Sequence, residues 1–66
     1  MTYYARVVFD SDASVAERYE DFGAACNWIE AERNANPEAF RLGEVYESPQ
    51  VPEVVATCDL KGWHSK

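Results

Sequence analysis

Residues 21–35 read DFGAACNWIEAERNA, and this stretch decides the fold. Phe22, Ala25, Cys26 and Ile29 recur at helical spacing, with Trp28 on their flank, while Asn27, Glu30 and Asn34 point the other way. Asp21 stands where its carboxylate can accept a free amide of the first turn. Asn34-Ala35-Asn36-Pro37 closes the segment, because the residue before proline is pushed out of the α region and asparagine tolerates a left-handed cap. The pattern predicts one helix over 22–35 whose apolar stripe packs on a sheet.

On either side the period changes from helical to alternating. Tyr3, Ala5, Val7 and Phe9 fall on one face of a first strand, with Tyr4, Arg6 and Val8 on the other. Asp10-Ser11-Asp12-Ala13-Ser14 is a turn cluster leading into a second strand over 15–20. After a single turn at Pro37-Glu38-Ala39-Phe40, a third strand runs over 41–48, in which Leu42 and Tyr46 can face either side. Pro49-Gln50-Val51-Pro52 connects to a fourth strand over 53–60, with Val54, Ala56, Cys58 and Leu60 inward and Glu53, Val55, Thr57 and Asp59 outward. Residues 61–66 read as a loose tail. The expected fold is α+β: ββαββ, a four-stranded, mostly antiparallel sheet with one helix packed on one face.

The chain has 66 residues, enough for one core, so a single domain over 1–66 is expected. One helix covers one face of such a sheet, which leaves Tyr4, Val8, Tyr46 and Val55 on an open face, a natural place to bind something.

Catalytic constellations find little support. The lone histidine, His64, lies in the expected tail with no nucleophile beside it. Cys26 and Cys58 make no CxxC and no metal-ligand spacing, and read as two small buried hydrophobes with free thiols rather than a disulfide. Asp10-Ser11-Asp12 opens like a calcium loop but lacks the later glycine and glutamate, and Gly23, Gly43 and Gly62 are too isolated to cradle a phosphate. The expectation is a non-enzymatic protein without cofactor, catalytic residue or metal site.

Charge is the remaining signal. Twelve carboxylates against six Lys and Arg give a formal net charge of −6, which repels phosphate backbones and anionic membranes. The candidate partner-binding residues are Glu17, Glu20, Glu30, Glu32, Glu44, Glu47 and Glu53, with Tyr4 and Tyr46 as aromatic anchors. Held on a rigid sheet, such carboxylates can imitate the charge density of nucleic acid, about one charge per 1.7 Å of duplex axis. The opposing interpretation is that the charges are evenly spread and serve solubility alone. Residues 1–10 lack a basic region followed by an apolar run, so no signal peptide is expected and the location is expected to be cytoplasmic.

In size, charge, the Tyr-rich strand Tyr3-Tyr4-Ala5-Arg6-Val7-Val8-Phe9 and the single helix carrying Trp28-Ile29, the chain resembles small acidic phage-encoded anti-CRISPR proteins acting on type I complexes. That resemblance implies a non-catalytic inhibitor in the bacterial host cell that occupies a basic DNA-binding groove, including as a mimic of duplex DNA, without binding nucleic acid or membrane itself. A monomer is expected over a homodimer. The alternative is a structural or regulatory adaptor that binds a protein through its open sheet face or a strand edge, including as a homodimer.

Overall fold

The computed structural model describes residues 2–48 and 53–65. The fold is α+β: strands β1 (Thr2–Phe9) and β2 (Ser14–Tyr19), helix α1 (Phe22–Ala35), then strands β3 (Phe40–Ser48), β4 (Glu53–Asp59) and β5 (Gly62–Ser65). The sheet is antiparallel throughout, in the order β2-β1-β3-β4-β5.

The sheet has five strands rather than four, because residues 62–65, read above as tail, pair with β4. Asp59 makes the reversal. Its Oδ1 accepts the amides of Lys61 at 2.8 Å and Gly62 at 3.1 Å, and Gly62 adopts φ +134°, a conformation that disfavours any side chain.

α1 begins and ends where its signals place it. Asp21 Oδ2 accepts the amide of Ala24 at 2.9 Å. At the other end Asn36 is not left-handed, with φ −138°. Its amide bonds to the Glu32 carbonyl at 3.1 Å, and its own carbonyl accepts from Ala39 and Phe40, carrying the chain straight into β3. The β1–β2 reversal does use a left-handed residue, Asp12, at φ 67°, which aspartate tolerates better than most.

The core is Ala5, Val7, Ala25, Ile29, Phe40, Val45, Ala56 and Cys58. Of the expected helical stripe, Ala25 and Ile29 are buried while Phe22 remains 41% exposed, overhanging the end of the sheet against Tyr3. Phe40 opens β3 and is buried, instead of closing a turn. A register shift opposite Val45/Tyr46 leaves Val55 as the extra residue of β4. Val55 therefore packs on the core and Val54 stands opposite Tyr46, the reverse of strict alternation. Leu60 is not inward; it sits in the β4–β5 turn, 60% exposed. The connector over 49–52 lies outside the described residues.

The helix crosses β1, β3 and β2. It leaves uncovered both the opposite face of the sheet and, on its own side, a trough beside β4 and β5.

Candidate functional site

On the open face the strand register brings the tyrosines together. Tyr4 lies opposite Tyr46, which lies opposite Val54, and two steps along the same face Val8 lies opposite Leu42. Between these pairs Arg6 faces Glu44. Arg6 Nη1 and the Tyr46 hydroxyl both donate to Glu44 Oε1, at 3.5 and 3.0 Å. Glu44 is thus compensated within the sheet, and Arg18, opposite Tyr4, adds a further cation to this face. The open face mixes tyrosine and aliphatic side chains with these few charges and is close to charge balance.

Five of the other acidic candidates, all but Glu20, lie on the helix side. Glu17 is opposite Ala5 on β2, and Glu47 is opposite both Tyr3 and Glu53. Glu20 and the capping Asp21 join β2 to the start of α1. Glu30 and Glu32 stand on α1, and burial raises the pKa of the Tyr19 phenol, with Glu17 and then Glu32 adding to it.

Three of the arginines lie apart from these carboxylates, and the cations on the helix side gather at one end of α1. Arg6 and Arg18 are on the open face, Arg41 is bound to Asp12 at 3.0 Å at the hairpin end, and Arg33 and Lys61 are near the helix C-terminus. Arg33 is turned inward, donating to Cys58 Sγ at 3.4 Å. The candidate set therefore divides: Glu17, Glu30, Glu32, Glu47 and Glu53 share the helix side, Glu20 lies in the β2–α1 connection, and Tyr4, Tyr46 and Glu44 occupy the opposite surface.

Trp63 and Phe22 were missing from the candidate residues, and they shape the trough. Trp63 lies opposite Cys58 on β5 and its indole Nε1 donates to Glu30 Oε2 at 2.8 Å. This bond spans from strand to helix and separates two cavities. One, of about 380 Å³, is lined by Phe22, Cys26, Glu30, Ala56 and Trp63, among others. The second, of about 610 Å³, includes Arg33, Pro37, Leu60 and Lys61. The signal for β5 was Asp59-Leu60-Lys61-Gly62, with Asp at the first and Gly at the fourth position of a tight turn, followed by the strand-favouring Trp63.

His64 belongs to β5 rather than to a frayed tail, and its Nε2 lies 3.2 Å from Asp59 Oδ2. The Asp59 carboxyl pKa is lowered, first by the Lys61 amide and then by the neighbouring His64 and the Gly62 amide. Both cysteines are free. Burial pushes both thiols up, with Arg33 partly opposing this at Cys58. Among the described residues, no group of three or more His, Cys, Asp and Glu could hold a metal, and no helix is long and apolar enough to cross a membrane. Compared with known proteins, the chain matches no family model, no curated protein and no solved structure.

Proposed function

We propose that this protein is a non-enzymatic inhibitor whose acidic helix side docks on the basic nucleic-acid-binding groove of another protein, in the manner of a DNA mimic. One observation carries this reading: Glu17, Glu47 and Glu53 fall by register on the helix side, where Glu30 and Glu32 stand on α1, while Arg6 and Arg18 are on the open face, Arg41 is held at the hairpin end, and Arg33 and Lys61 are confined to the helix C-terminus. Charge segregated in this way steers a cationic partner to one side of the molecule and repels the wrong ones. The resemblance to anti-CRISPR proteins nominates a type I CRISPR effector complex as the first target.

The test is a binding titration against that complex at rising salt, with and without competing DNA. Affinity is expected to fall with salt, DNA to compete, and Glu47→Lys with Glu53→Lys to weaken binding about a hundredfold, since interfacial charge pairs couple by about 1.5–7 kcal/mol. Salt-independent binding, or full binding by the double reversal, overturns the reading for this target.

A second reading, an adaptor or homodimer joined through the open face, is favoured by the contiguous Tyr4, Tyr46 and Val54 and by the Arg6–Glu44 compensation, which lets two copies approach. It expects a dimer in light scattering that Tyr4→Ala and Tyr46→Ala dissociate.

A further inference from the structure

We propose that the cavity between α1 and the β4–β5 hairpin is a receptor for one arginine side chain of a protein partner. This inference rests on the acidic-side reading above and names the element that gives it specificity. At about 380 Å³ the cavity falls within the range of about 300–1,000 Å³ typical of ligand clefts. Its lining combines two aromatic side chains, Phe22 and Trp63, with the small Cys26 and Ala56 and the carboxylate of Glu30.

Each part matches a part of arginine. A guanidinium is flat and stacks on aromatic faces while its fork addresses a carboxylate. Trp63 presents an aromatic wall and holds Glu30 in place through the 2.8 Å bond to Oε2, and no described residue donates to Oε1. Phe22 is exposed and is not part of the buried core; its ring is braced edge-on by Tyr3, with centroids 5.6 Å apart. The arginine stem would cross the floor at Ala56 and Cys26.

Charge selects the occupant. No lysine or arginine lines this cavity. On the same face Glu47 and Glu53 stand directly opposite each other, a like-charge pair that destabilises the free sheet and that a cation would relieve. Arg33 and Lys61 line the cavity beyond the Trp63–Glu30 bond and favour entry from the Phe22 end.

The test titrates the intact protein with hexa-arginine and hexa-lysine while following the indole N–H resonances of Trp63 and Trp28. Hexa-arginine is expected to shift Trp63 and leave Trp28 unmoved, and to bind several-fold tighter than hexa-lysine. Glu30→Gln and Phe22→Ala should each weaken it about tenfold. Glu32→Gln, which removes an equal charge outside the cavity, should change it less than about twofold. Equal losses from Glu30→Gln and Glu32→Gln, or equal binding of the two peptides, would mean diffuse attraction and overturn the receptor. Failure of the wider reading looks different: the effector complex would bind without regard to salt or to the Glu47 and Glu53 reversals.

Discussion

Gly43 lies directly beneath Ile29, so close that a methyl group on Gly43 would overlap Ile29 Cγ2. Ile29 is fully buried and cannot swing away. The missing side chain sets how closely the helix approaches the centre of the sheet, and through that approach the position of every residue α1 presents.

Gly43→Ala is accordingly expected to destabilise the protein by about 1–3 kcal/mol through overpacking. Urea unfolding should show a lower midpoint at unchanged slope. With Ile29→Ala, which removes the opposing Cγ2, the added cost of Gly43→Ala should shrink, read as a coupling in a double-mutant cycle. Additive effects would mean that the two side chains do not meet.

The Asp21 cap gives a second prediction. Asp21→Ala leaves the Ala24 amide without its side-chain acceptor and should cost about 0.5–2 kcal/mol, whereas Asp21→Ser should retain most of the stability. Thermal unfolding of the three proteins separates a specific cap from a general charge effect.

Asp59 is expected to make the fold acid-sensitive. Its folded pKa is lowered, chiefly by the Lys61 amide, so its contribution is present above the ordinary carboxylate pKa and is lost as pH falls through the lower folded value. Asp59→Asn should lower stability at neutral pH and flatten the decline between neutral and acidic solution, read from urea midpoints. Gly62→Ala should weaken the same hairpin at every pH, because φ +134° strains any side chain.

Burial raises the thiols of Cys58 and Cys26. Their contribution to stability is present in full below the ordinary thiol pKa and is lost as pH rises through the raised folded values. Cys58 is fully buried and Cys26 only partly, so a thiol reagent at mildly alkaline pH should modify Cys26 first and Cys58 only on unfolding. Equal rates for both would contradict the placement of Cys58 beneath α1.

Much of the fold was legible because its signals are local. The apolar spacing of Ala25 and Ile29, the cap at Asp21 and the alternation from Tyr3 to Phe9 each act within a few residues. Local signals misled where pairing intervened. The extra residue Val55 exchanged the faces of Val54 and Val55, and pairing with β4 turned residues 62–65 from an expected tail into a strand.

By itself the sequence determined an α+β chain with one helix, a Tyr-bearing first strand, two thiols outside any ligand pattern and an excess of twelve carboxylates over six cations. Tertiary structure alone decided that Glu44 is held by Arg6 and Tyr46, that Glu17, Glu30, Glu32, Glu47 and Glu53 gather on the helix side, and that Trp63 meets Glu30 across 33 positions of chain. The physical reason is range. Alternation assigns faces within one strand, but which charges become neighbours depends on the register between strands and on the close approach of the helix to Gly43.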